Sequence, residues 1–128
     1  NKITTLDFKL IPETADSHII DGDENYEESG VLKVDTVTLN EEIKRLKLNN
    51  MRIKLLKLEA EGAELNVLEG CLEFLKNIEF ITADVSFEKK DGSSSLPEVT
   101  NLLYENNFEI IDVSASRYVL LFRNRELI

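Results

Sequence analysis

Apolar positions alternate with polar ones along "ITTLDFKLI", from Ile3 to Ile11, the period of a half-buried strand that Pro12 then stops. "VLKVDTVT" (Val31 to Thr38) is β-branched and reads as a second strand. Behind it, "LNEEIKRLKL" opens with Asn40 as a plausible N-cap, has Glu41 and Glu42 in the first turn, and sets Ile43 and Leu46 on one face. "IKLLKLE" (Ile53 to Glu59) is a third strand. A longer helix is expected from Gly62 to about Lys76, with Leu65, Leu68, Cys71, Leu72 and Leu75 as its core stripe and Val67 and Phe74 widening it. "IEFITADVSF" (Ile78 to Phe87) is almost wholly apolar in its middle and so belongs at the centre of a sheet. "LPEVTNLLYENN" carries Pro97 in its first turn and Val99, Leu102 and Leu103 inward. "FEIIDVS" and "RYVLLFR" lie too close together for a crossover and must form an antiparallel hairpin.

Helices placed between successive strands predict an α/β domain with parallel strands that ends in this hairpin. At 128 residues one domain is expected, 1–128, large enough for a core of its own. The composition, 42% hydrophobic and 31% charged, is that of an ordinary globular protein. A net charge of −10 argues against a nucleic-acid surface or an anionic membrane as partner. No apolar run approaches the roughly 20 residues of a membrane span. The single cysteine, Cys71, excludes an internal disulfide and fits a reducing, cytoplasmic setting. Its place among leucines suits a buried filler.

Asp21, Asp23 and Asn25 in "DGDENYEESG" invite a calcium reading, but Tyr26 and Leu32 stand where an EF-hand loop needs Gly and Glu. That segment is expected to be a solvated loop. "LLKLEAEGAELNVLEG" (Leu55 to Gly70) asks a harder question, because Glu59, Glu61 and Glu64 crowd one strand-to-helix turn. Such a turn lies at the carboxyl end of a strand, where open α/β sheets bind ligands. Glu61 or Glu64 also suits a helix N-terminus for purely structural reasons.

The same stretch, followed by "FITADVSFE", resembles the signature of the FkbM-type methyltransferases, K-[IV]-D-[VI]-E-G-x-E-x-x-[VA]-L-x-G. Lys57, Glu61, Gly62, Glu64, Leu68 and Gly70 match it. Thr38 and Leu39 match the family's preceding T-L-D segment, with Asn40 in place of Asp. The family's strand-ending Asp is Glu59 here, and the Glu usual in the next strand is Asp84. The resemblance implies the second half of a class I (Rossmann-like) methyltransferase sheet, with S-adenosylmethionine as cofactor. It implies methyl transfer to an oxygen or nitrogen of a small molecule or sugar.

Within it, Glu59 is the candidate to orient or deprotonate the acceptor, Glu61 and Asp84 are further catalytic candidates, and His18 could line the acceptor pocket. Glu64 is expected to hold the turn by bonding backbone N–H groups, and Lys57 to pair with a carboxylate. No metal is required by the spacing, although carboxylates could hold Mg²⁺.

The family's glycine-rich turn is missing, since the five glycines form no G-x-G pair. The chain starts at Asn1 without a Met, so the expectation is an excerpt whose cofactor-binding half lies upstream, inactive by itself. The alternatives are a stand-alone degenerate domain serving protein association, and a methyltransferase assembled from separate chains. In class I methyltransferases the "IKLLKLE" strand pairs with the missing first strand. Its edge is therefore expected to be covered by a homodimer partner or by another strand.

Overall fold

In the computed structural model, residues 4–9, 18–19, 31–87, 89 and 91–127 are described, and the acidic segment 21–30 lies outside them. They form two compact units, 1–37 and 38–128. The first unit is a three-stranded sheet in the order β2-β1-β3, with β1 Thr4–Lys9, β2 His18–Ile19 and β3 Val31–Thr36. Both pairings are antiparallel, and β1 meets β3 along its full length, from Thr4 opposite Thr36 to Lys9 opposite Val31. A place for β3 in the parallel sheet was expected, and the structure corrects it. Leu32, Lys33 and Asp35 are all exposed on β3. A strand so well wetted suits an antiparallel sheet, whereas parallel strands are covered on both faces.

The second unit holds α1 Leu39–Arg45, β4 Ile53–Leu58, α2 Glu64–Glu69, β5 Ile78–Asp84, α3 Leu96–Glu105, β6 Phe108–Ser114 and β7 Val119–Asn124. Its mixed sheet runs β4-β5-β7-β6. Only β4 and β5 are parallel; β7 is antiparallel to both β5 and β6, and the terminal hairpin forms as expected. β5 is central, with Ile78, Ile81 and Ala83 almost wholly buried. Val99 and Leu103 of α3, Phe108 of β6 and Phe122 of β7 pack into the same core. Asn124 is also buried there, and its Nδ2 donates to the Ile78 carbonyl at 3.1 Å, tying the end of β7 to the start of β5.

Two helices differ from their sequence reading. α1 is capped by Thr38 rather than Asn40: the Thr38 hydroxyl accepts from the Glu41 N–H at 3.2 Å, and Glu41 Oε2 accepts from the Thr38 N–H at 3.1 Å. This reciprocal pair satisfies two donors, where Asn40 would have satisfied one.

The helix expected over 62–76 stops at Glu69 and resumes only as a 3₁₀ turn, Leu75–Asn77. The Gly70 carbonyl accepts from the Asn40 N–H at 2.9 Å, so it is committed to the start of α1 instead of to the next helical turn. The two chains approach closely there, and a Cβ on Gly70 would lie 3.4 Å from Thr38 Cβ. Losing the helical phase turns Leu72 outward, while Leu68, Cys71, Phe74 and Leu75 stay buried. Burial pushes the Cys71 thiol up to about 11, which makes it an inert filler.

Candidate functional site

β4 delivers its chain to a tight turn at Ala60–Ala63. The Ala63 N–H donates to the Ala60 carbonyl at 3.0 Å, and Glu61 (φ 49°) and Gly62 (φ 91°) both adopt left-handed backbone. Two successive positive φ angles mark a type I′ turn, which is cheap for Gly and costly for Glu. Something must hold that turn, and Glu64 does. Its Oε1 accepts from the Ala60 N–H at 2.9 Å and the Gly62 N–H at 3.2 Å, and its Oε2 accepts from the Ser95 hydroxyl at 3.1 Å. At 1% exposed, Glu64 has both oxygens occupied inside the fold. Glu64 is therefore scaffold, as its place at a helix start suggested.

Glu59 and Glu61 are outside this scaffold, both exposed on the rim of the turn. Glu59 Oε2 meets Lys57 Nζ at 2.7 Å; the two residues lie two apart, on one face of the strand. Asp84 ends β5 half-buried. Its Oδ1 accepts from the Ser86 N–H at 3.1 Å and the Ser86 hydroxyl at 2.7 Å, and among the described residues Oδ2 has no bond. The parallel register ends with Leu58 opposite Ala83, so Glu59, the first residue past β4, and Asp84, the last of β5, both follow that pair. The structure thus gathers Glu59, Glu61 and Asp84 at the carboxyl end of one parallel pair. His18 is on β2, opposite Lys9, in the first unit.

Sequence reasoning missed Ser95 and Ser86. Ser95, just before Leu96 and Pro97, resembles a helix cap, yet its hydroxyl goes to Glu64 and the Leu96 N–H bonds Ser94 Oγ at 3.0 Å. The Asp-x-Ser spacing of Asp84 and Ser86 is a legible signal for the turn it makes.

A groove of about 420 Å³ lies elsewhere, lined by Asn40, Lys44, Asn49, Asn50, Glu73 and Lys76 among others. Asn49 and Asn50 lead into β4 and Lys76 into β5. This is the amino end of the strands, opposite to where an open α/β sheet binds its ligand.

A model of the "Methyltransferase FkbM domain" matches residues 4–110. The chain belongs to the FkbM methyltransferase family. Comparison with curated proteins and with solved structures finds no match. The matched span runs from β1 through most of the second unit, including the turn and both strand ends.

S-adenosylmethionine is typical of the FkbM family, but the turn after β4 has two of its backbone donors already engaged. The Ala60 and Gly62 amides, which could meet a ligand carboxylate, are already given to Glu64. Among the described residues no three His, Cys, Asp or Glu side chains gather as a metal site, and no helix is long and apolar enough to cross a membrane.

Proposed function

We propose that this FkbM domain supplies the acceptor side of an S-adenosylmethionine-dependent methyltransferase acting on an oxygen or nitrogen nucleophile of a small molecule or sugar. The observation that carries this reading is the juxtaposition of Glu59 and Asp84 on adjacent parallel strand ends. It is supported by membership of the family and by the β4-β5-β7-β6 order with its terminal hairpin, which suits the second half of a class I sheet.

Here Glu59 accepts the proton of an acceptor hydroxyl, or a hydrogen bond that fixes its lone pair for attack. Asp84 Oδ2 holds a second hydroxyl, while Ser86 fixes the carboxylate through Oδ1. Glu61 lies at the same strand ends. Cofactor binding belongs to a glycine-rich half elsewhere in the same polypeptide or on a second chain, and the isolated 128-residue chain is inactive. The work would take place in the cytoplasm, where a lone thiol stays reduced.

A methyl-transfer assay tests this: the domain joined to a glycine-rich cofactor half is offered a panel of sugars and small hydroxyl and amine nucleophiles. Transfer that depends on Glu59 is the expected result. Cofactor binding without transfer to any acceptor would overturn it. Titration calorimetry on the chain alone should find S-adenosylmethionine affinity weaker than low-micromolar.

A second reading, association through the sheet edge, rests on β4. Its ladder goes only to β5 among the described residues, and Leu55 on it is 52% exposed. Open apolar edges recruit partners. The proposed outcome is a homodimer or an added strand along Ile53–Leu58, and a monomer by light scattering with β4 amides exchanging freely would contradict it.

A further inference from the structure

One feature at the same end of the sheet is not explained by packing. Phe87 is 60% exposed and Tyr118 49% exposed. Their rings meet edge to face, 5.3 Å between centroids and 89° between planes. Both lie beside Asp84. Phe87 follows it by three residues, and Tyr118 immediately precedes Val119, the register partner of Asp84 on β7. The Val85 N–H donates to the Tyr118 carbonyl at 3.0 Å, which pins the two segments together.

Tyr118 moreover sits at φ 52°, left-handed backbone that favours Gly or Asn. A hairpin turn selected for stability alone would carry one of those residues. Here a bulky aromatic takes the strained position and then keeps half its surface in water. Strain of this kind concentrates where a side chain has to face a ligand.

We propose that Phe87 and Tyr118 form a stacking platform that binds the acceptor as an uncharged, hydroxylated ring. The proposal rests on the methyltransferase reading for the word acceptor, but not for the ring site itself. An edge-to-face pair of rings, each about half exposed, offers aromatic surface that can grip a flat or ring-shaped molecule by dispersion and by its apolar face. Asp84 Oδ2, unbonded among the described residues, accepts from a hydroxyl of that ring. Three carboxylates, Glu59, Glu61 and Asp84, share this end of the sheet with two cations, Lys57 paired to Glu59 and Arg117 exposed beside Tyr118. The balance disfavours a phosphorylated or carboxylated ring relative to a neutral one. A sugar and a phenol both satisfy this chemistry, and the experiment separates them.

The full 128-residue chain is titrated with methyl β-D-glucopyranoside, with catechol and with glucose 6-phosphate, following the ring resonances of Phe87 and Tyr118 by NMR. The expected result is that one or both neutral probes shift these resonances while the phosphate binds more weakly. Tyr118→Asn, which accepts the left-handed backbone, should weaken that binding about tenfold or more, the scale of one lost ring stack. It should melt within about 4 °C of the parent chain, because relief of backbone strain offsets loss of the ring pair.

No shift with either neutral probe overturns the proposal, and so does binding unchanged in Tyr118→Asn. Tighter binding of the phosphate overturns it as well. A large fall in melting temperature in Tyr118→Asn would make the ring a structural member and reject the assignment. Because the readout is binding, methyl transfer without ring binding sinks only the platform, and ring binding without methyl transfer sinks only the proposed reaction.

Discussion

Glu64 at the start of α2 accepts a hydrogen bond from Ser95 at the start of α3, 3.1 Å between Oε2 and Oγ across 31 residues of sequence. The bond joins the turn after β4 to the helix that follows β5, so the two strand ends bearing Glu59 and Asp84 are braced by one buried carboxylate. Removing that carboxylate should therefore show in stability before it shows in chemistry. Glu64→Ala leaves the Ala60 and Gly62 amides and the Ser95 hydroxyl without their acceptor, and should cost about 3 kcal/mol. Ser95→Ala should cost about 1 kcal/mol. Denaturant unfolding of both and of the double variant should reveal a favourable coupling; strict additivity would contradict the bracing.

Glu59→Gln should behave in the opposite way. Its ion pair with Lys57 is exposed at both partners, and such pairs are worth at most about 1 kcal/mol. Melting should barely move. Turnover of the assembled enzyme should fall on the order of 10²-fold if Glu59 serves as base or acceptor-orienting group. Steady-state kinetics beside a thermal melt checks both halves of the claim, and equal modest losses in rate and stability would remove Glu59 from the chemistry.

The turn itself carries a measurable strain. Glu61 at φ 49° stands where Asn is tolerated better. Glu61→Asn should stabilise the chain by up to about 1 kcal/mol, and Gly62→Ala, at φ 91°, should destabilise it by about 1 kcal/mol or more. Chemical denaturation of the two variants gives the signs directly. A loss of transfer rate in the stabilised Glu61→Asn variant would mark Glu61 as a residue kept for function.

At the amino end of the sheet, Glu79 on β5 is held by Lys54 and by Arg52, whose Nε lies 2.7 Å from Oε1. The hydrogen bond from Lys54 is the main reason its carboxyl titrates below the ordinary 4.5, with both positive charges adding to it. A folded-state value below the unfolded one stabilises the chain above about pH 4.5, and that contribution disappears as pH falls through the lowered value. The stability gap between the parent chain and Glu79→Gln should hold at neutral pH and close on acidification. Urea midpoints across that range test it, and a gap that widens in acid would reverse the assignment.

Much of this protein is legible in order along the chain. Alternation and β-branching find β1, β3, β4 and β5, Pro97 marks the start of α3, and the short link between the last two strands can only be a hairpin. The turn signature around Glu61, Gly62 and Glu64 carries the family resemblance, because local backbone geometry and its caps are written in neighbouring residues.

Pairing partners are not written there. β3 reads as a strand equally well beside β1 or β4, and only its wetted residues, seen in the folded chain, accompany its choice of β1. The long helix of the sequence pattern ends at Glu69 because the Gly70 carbonyl bonds the Asn40 amide, a contact between segments 30 residues apart. Likewise the sequence shows carboxylates crowded at one turn without saying which is scaffold. Burial and hydrogen bonds from Ala60, Gly62 and distant Ser95 decide that for Glu64, leaving Glu59 and Asp84 together at the strand ends. Periodicity and turn chemistry are local and survive in one dimension; register, burial and long-range hydrogen bonds exist only once the chain has closed on itself.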